Sequence, residues 1–226
     1  MISIEPVRGD VAQLLSEYVV EEIDDDLYGA TFDGRRLVVA AGARLVRLAP
    51  ESGRAVDQLE TFADRGGLAC DGRHIWQHSE GRLQKLDPRT GFVLLAVSPG
   101  LEGITGLECV DNDLLVLHAG GRALARVETF RIEALGPRTI ANVELSGPLQ
   151  GLAWVGRELW SSTGPELCRI DPASGRILGQ APLPGIEACD LAGDGAGHIW
   201  CVDGRSKTVH ALAQPARARS SSTAPA

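Results

Sequence analysis

Paired cysteine motifs, clustered positive charge and long apolar runs are all missing from this chain. Its five cysteines are odd in number and none sits in a Cys-x-x-Cys pair, which excludes a disulfide framework and a zinc knuckle and leaves reduced thiols. Lysine and arginine total 22 against 30 aspartates and glutamates, a net charge of −8. An acidic surface with no basic stripe repels phosphate backbones, so nucleic acid is excluded as a partner. No apolar run reaches the roughly 18 residues of a membrane-spanning helix. The start, Met1-Ile2-Ser3-Ile4-Glu5-Pro6, has neither the basic region nor the apolar core of a secretory signal, and the expected location is cytoplasmic with no membrane partner.

Glycine (27) and proline (12) are plentiful, and they punctuate a repeat. Gly29-Ala30-Thr31-Phe32-Asp33-Gly34 leads into Arg36-Leu37-Val38-Val39, and Gly67-Leu68-Ala69-Cys70-Asp71-Gly72 leads into His74-Ile75-Trp76. Gly106-Leu107-Glu108-Cys109, Gly151-Leu152-Ala153-Trp154 and Asp190-Leu191-Ala192-Gly193 open three further units, with anchors 38, 39, 45 and 39 residues apart. Asp-Gly after the first strand suits a tight hairpin. The second strand carries a large apolar residue at one position, Val38, Trp76, Leu115, Trp160 or Trp200, which reads as blade core. The third strand ends in a turn such as Asp87-Pro88-Arg89-Thr90-Gly91 or Asp171-Pro172-Ala173-Ser174-Gly175. Proline sets φ early in that turn, and glycine supplies a left-handed residue before a fourth strand such as Phe92 to Val97. Five such units predict an all-β, five-bladed β-propeller.

The fifth unit lacks its own fourth strand. Tyr18 to Ile23 is strand-like and is expected to close the ring by completing the last blade, since an open edge invites association. The expected organisation is an N-terminal extension over 1–17 with a short helix over 8–17 capped by Asp10, the propeller over 18–213, and a disordered tail over 214–226.

The unit Gly-Leu-x-x-Asp-Gly-x-x-Ile/Leu-Trp followed by Ile-Asp-Pro-x-Ser/Thr-Gly resembles the repeat of glutamine cyclotransferase-like propellers and is similar to that of the streptogramin lyases. The entry Tyr18-Val19-Val20 … Asp26-Leu27-Tyr28-Gly29 resembles the approach of glutaminyl cyclases to their first blade. The resemblance runs from Tyr18 to Leu212 and implies the same five-bladed fold. Those cyclases hold a glutamate on the second strand of the first blade; Val39 stands there in this chain, within Val38-Val39-Ala40-Ala41-Gly42, and Tyr28-Gly29-Ala30 replaces their Thr-Gln-Gly. What carries over is the architecture.

In such folds ligands bind at one mouth of the channel, where the lead-in to each inner strand meets the end of each second strand. Aligning the units places Tyr28, Arg65, Glu102, Thr105, Gln150, Glu187 and Cys189 in the lead-ins, and His78, His118, Ser162 and Asp203 at the strand ends. His118, His78 and Glu187 are the catalytic candidates and the others ligand-binding candidates. Two histidines on neighbouring blades could move protons or hold a divalent metal, provided they look at each other across one blade gap, because adjacent strand positions face opposite sides. The streptogramin lyase resemblance implies a histidine and metal constellation at an equivalent mouth. Cys70 and Cys109 share a column with Phe32, Trp154 and Ala192, a packing column between blades. Cys189 points at the channel and is the one thiol with nucleophile potential, opposed by Glu187 and Asp190.

The expected function is a lyase- or cyclase-type enzyme acting on a small molecule or peptide, or else a non-catalytic binding module for a ligand or protein. A purely structural interaction ring would need an exposed apolar patch, and the sequence reading finds none.

Overall fold

The computed structural model describes residues 12–20, 23–61, 67–119, 125–133, 136–145 and 147–215. These form 20 strands in five four-stranded antiparallel sheets. Blade 1 holds β2 (Leu27–Phe32), β3 (Leu37–Ala41), β4 (Arg44–Leu48) and β5 (Ala55–Glu60). Blade 2 holds β6 (Leu68–Cys70), β7 (Ile75–Ser79), β8 (Arg82–Leu86) and β9 (Val93–Val97). Blade 3 holds β10 (Ile104–Val110), β11 (Asp113–Ala119), β12 (Ala125–Glu133) and β13 (Gly136–Leu145). Blade 4 holds β14 (Gln150–Val155), β15 (Glu158–Ser162), β16 (Glu166–Ile170) and β17 (Ile177–Pro182). Blade 5 holds β18 (Ala188–Gly193), β19 (His198–Asp203) and β20 (Thr208–Ala213), and its outer strand is β1 (Gln13–Val19).

The ring is thus closed from the N-terminus, as the short fifth unit requires. The closing strand is Gln13–Val19 rather than Tyr18 to Ile23, with Tyr18 opposite Val209 and Val19 opposite Thr208. Residues 13–17 are therefore strand, not the expected helix; Asp10, its expected cap, lies outside the described residues. The free edge of β20 offers a row of backbone partners that an isolated two-turn helix could not replace. Val20 and Ile23, beyond the strand, are buried under blades 1 and 5. The expected tail over 214–226 lies outside the described residues from 216 onward.

Each of the five gaps between neighbouring blades holds its own apolar cluster. The second-strand column fills them: Trp76, Trp160 and Trp200 are at most 4% exposed, and Val38 and Leu115 take the same place in the other blades. Around the axis the inner strands touch. A Cβ on Gly151, which has φ +64°, would lie 2.6 Å from Cα of Asp190 in the next blade, and one on Gly67 2.8 Å from the amide nitrogen of Leu107. Glycine at the head of four of the five inner strands is what lets the backbones meet.

The third-to-fourth turn repeats its geometry. Gly53, Gly91 and Gly175 each have positive φ and donate an amide hydrogen bond of 2.8–2.9 Å back to Ala49, Asp87 and Asp171. The 45-residue spacing after the third anchor reflects the long β12–β13 hairpin. The cysteine column needs one correction. Strand register places Phe32, Cys70, Cys109, Trp154 and Gly193 in one row, so Gly193 and not Ala192 is the fifth member. The backbone of Trp154 crowds that site, 2.7 Å from a Cβ placed on Gly193. Cys70 and Cys109 are half-buried.

Candidate functional site

The lead-ins and second-strand ends do meet at one end of the ring, because each inner strand pairs antiparallel with its neighbour: Leu27 lies opposite Ala41, Ile104 opposite His118, Gln150 opposite Ser162 and Ala188 opposite Asp203. Much of the polar character there is spent on the ring itself. The Tyr28 hydroxyl donates to the carbonyl of Gly42 and the Thr105 hydroxyl to Leu149 at 3.3 Å. Ser162, fully buried, donates to the carbonyls of Gln150 and Ala188 at 3.1 and 3.0 Å, pinning blade 4 to blade 5. Asp203 accepts from the amides of Glu187, Arg205 and Ser206, each at 3.1 Å. Burial would raise its pKa, but these donors prevail and hold the carboxyl below its ordinary value. Gln150, Glu102 and Glu187 are exposed. Arg65 lies outside the described residues.

Cys189 is half-buried, with its sulfur 3.6 Å from the carbonyl of Leu27. Burial, reinforced by the charge of Asp190, pushes its thiol up to about 12. A thiol held neutral is a poor nucleophile.

Strand alternation turns the two histidines toward one gap. Trp76 and Val116 both belong to the cluster between blades 2 and 3. His78 and His118 each follow one of them by two positions, so both face that gap. His118 is buried. Its Nδ1 lies 3.1 Å from the carbonyl of Ala119, which places the proton on that nitrogen. Its Nε2 stands 3.6 Å from Oε1 of Glu128. Glu128 is itself held by Thr139 and Asn142, each at 3.2 Å. Glu128 escapes the column alignment because it lies on a third strand. Among the described residues no group of three or more histidines, cysteines or carboxylates is arranged to hold a metal ion.

Two carboxylates near the axis also went unread. Asp190 occupies the place of Gly29, Gly67, Gly106 and Gly151. It is completely buried, and its Oδ2 accepts the amide of Ala30 at 2.7 Å across the junction of blades 5 and 1. Burial, only partly offset by backbone amides, raises its pKa well above the carboxylate range, and the charge of Glu108 adds to the rise. Glu108 stands in a column otherwise filled by Thr31, Ala69, Ala153 and Ala192. Its two oxygens accept the amides of Cys109 and Trp154, each at 2.8 Å, joining blade 3 to blade 4. Burial outweighs both donors and raises its pKa to about 7. A lone acid in a column of glycine or small residues was the available signal.

A cleft of about 780 Å³ lies on the flank between blades 1 and 2. Arg44, Glu60, Ser79, Glu80, Phe92 and Val93 are among its lining residues, and Ser79 ends the second strand of blade 2 beside His78.

No family model matches the sequence, and no curated protein matches it. Solved structures do match in shape. A glutaminyl cyclase from Myxococcus xanthus superposes with a TM-score of 0.72 at 20% identity, over 92% of this chain and 97% of that one. A chain of the mitotic checkpoint complex superposes with a TM-score of 0.51 at 15% identity, over 89% of this chain and 65% of that one. At these identities the likeness is one of fold: a five-bladed, glutaminyl-cyclase-like propeller.

Proposed function

We propose that this chain is a propeller enzyme of cyclase or lyase type, acting on a small molecule or peptide at the channel mouth, with His118 as its proton-transfer group. The observation that carries the reading is the pairing of buried His118 with half-buried Glu128 on the gap that His78 also faces. With Nδ1–H anchored on the Ala119 carbonyl, Nε2, 3.6 Å from Oε1 of Glu128, is the nitrogen left to take and return a proton. Cyclisation of an N-terminal glutamine needs such a group. The α-amino nitrogen bonds to the side-chain carboxamide carbon, the bond from that carbon to its amide nitrogen breaks, and the proton lost by the attacking nitrogen goes to the departing ammonia. Val39 is completely buried in the cluster between blades 5 and 1, so an acid–base group has to come from elsewhere in this ring.

The test is ammonia release from a glutaminyl peptide by the purified chain and by His118→Gln. Turnover that falls by about 10²–10⁴-fold in the variant, with KM little changed, supports the assignment. Equal turnover by both proteins refutes the role of His118. A second reading, a non-catalytic binding module, is favoured by the engagement of Tyr28, Thr105, Ser162 and Asp203 with backbone groups. It expects saturable binding of the peptide without ammonia, and tolerance of His118→Gln.

A further inference from the structure

A second unsatisfied polar atom accompanies His118 Nε2 on the gap between blades 2 and 3. Arg126 of β12 lies directly opposite His118 of β11, and Glu144 of β13 lies directly opposite Arg126. Directly opposed residues share one face of a sheet. The three therefore form a row across blade 3, on the face where Val116 and Phe130 join one apolar cluster with Trp76 and Leu83 of blade 2. Arg126 donates from Nη2 to the Glu144 carboxylate, which balances its charge and fixes one arm of the guanidinium. Its Nε–H is buried and has no hydrogen-bond partner among the described residues, and Nε2 of His118 stands likewise. A buried donor and a buried acceptor are each costly to leave unmade. One ligand group meets both needs: an amide whose carbonyl oxygen accepts from Nε–H while a nitrogen beside it gives up a proton to Nε2. Because Glu144 already balances Arg126, the remaining donor fits a neutral oxygen that gains charge only during reaction.

We propose that Arg126 binds the carbonyl oxygen of an amide ligand through Nε–H, and that in the cyclisation proposed above it holds the charge that collects on that oxygen. The second half rests on the proposed role of His118. When the α-amino nitrogen bonds to the carboxamide carbon, one electron pair of the C=O bond moves to oxygen. Nε–H of Arg126 donates to that oxyanion, and Nε2 of His118 accepts the proton lost by the attacking nitrogen. When the pair returns and C=O re-forms, the bond from that carbon to its amide nitrogen breaks. Nε2 then delivers its proton to the departing ammonia. A donor held in place beforehand, by strand register and by Glu144, needs no reorganisation as the charge develops, and burial strengthens its pull.

The test measures ammonia release from the dipeptide Gln-Ala by the full chain, by Arg126→Met and by Arg126→Ala, with circular dichroism confirming the fold of both variants. The expected result is a kcat lower by about 10²–10³-fold in each variant, with KM moved by no more than about threefold. The pH at which turnover falls on the acid side stays where it is in the wild type, and ethylguanidinium, but not ethylammonium at equal ionic strength, restores part of the Arg126→Ala rate. Turnover by Arg126→Met within about twofold of wild type overturns the role of Arg126 and leaves that of His118 standing. A rise in KM at unchanged kcat, or a displaced acid limb, overturns it too, the first by placing the contact in the ground state and the second by making Arg126 a positioning partner of His118. If the wild-type chain releases no ammonia, the cyclase reading fails by itself, and calorimetric titration with Gln-Ala decides the Nε–H contact. Binding weakened about tenfold or more in Arg126→Met upholds it; equal binding, or none by the wild type, overturns it.

Discussion

Glu108 makes the stability of this ring depend on pH in a window where few other groups titrate. Its carboxyl is raised from 4.5 to about 7. Between those values the folded protein holds a proton that the unfolded chain releases, so stability falls as pH rises and levels off above about 7. The shift corresponds to about 3 kcal/mol at most, or roughly 6–12 °C in Tm for a chain of this size. Asp190 acts in the same direction from its lower starting value, its folded pKa being raised as well. His210, lowered by burial, acts in the opposite sense below its ordinary 6.5. Asp71, held down to about 2, matters only below about pH 4. The clean quantity is therefore the difference between wild type and Glu108→Gln, measured by urea denaturation at pH 5 and pH 8. Glutamine can accept only one of the two amide hydrogen bonds and turns its own NH₂ toward the other. That costs about 1–3 kcal/mol at both pH values. Glu108→Gln should thus be less stable than wild type at pH 5 and recover relative to it by up to about 3 kcal/mol at pH 8. A difference constant within about 0.5 kcal/mol across that range would mean that Glu108 is ionised throughout and that its enclosure by blades 3 and 4 is misjudged.

A crowded glycine and a roomy one should differ in what one added methyl costs. Gly151→Ala, at φ +64° and 2.6 Å from the backbone of Asp190, is expected to cost well over 2 kcal/mol, whereas Gly72→Ala, at φ +83° with nothing within 4 Å, should cost only about 1–2 kcal/mol; urea midpoints separate the two. Trp160→Ala, at a site 1% exposed in the gap between blades 4 and 5, should lose about 3–5 kcal/mol, while circular dichroism retains an all-strand spectrum.

The ring was legible because its determinants are local and repeated. An Asp-Gly turn, a large apolar residue on the second strand and a Pro-x-x-Gly turn recur in order, and each has one physical job that sequence spacing exposes. Ring closure was legible by subtraction, from the strand missing in the fifth unit. The position of the closing strand was not, because β1 takes its register from the edge of β20, some 190 residues along the chain. Gln13 to Val19 has no strong preference of its own, and its exposed leucines Leu14 and Leu15 also fit one side of a short helix.

The candidate site was legible only as a set of positions. Alignment brought the lead-ins and strand ends to one mouth, and strand parity turned His78 and His118 toward one gap, but alignment says nothing about what each polar group already bonds. Ser162 and Asp203 look available in sequence and are committed to neighbouring backbone in space. The reverse error arises at Glu108 and Asp190. There the column average, glycine or alanine, describes what the ring tolerates, and the exception marks where a carboxyl is asked to hold two blades together. The run from Phe92 to Val97 belongs with these exceptions, since a fourth strand without polar alternation departs from what β5 and β17 do at the same place in their blades. In a repeat protein the common residues at each column describe the scaffold, so the places where one unit breaks its column are where a separate role has to be sought.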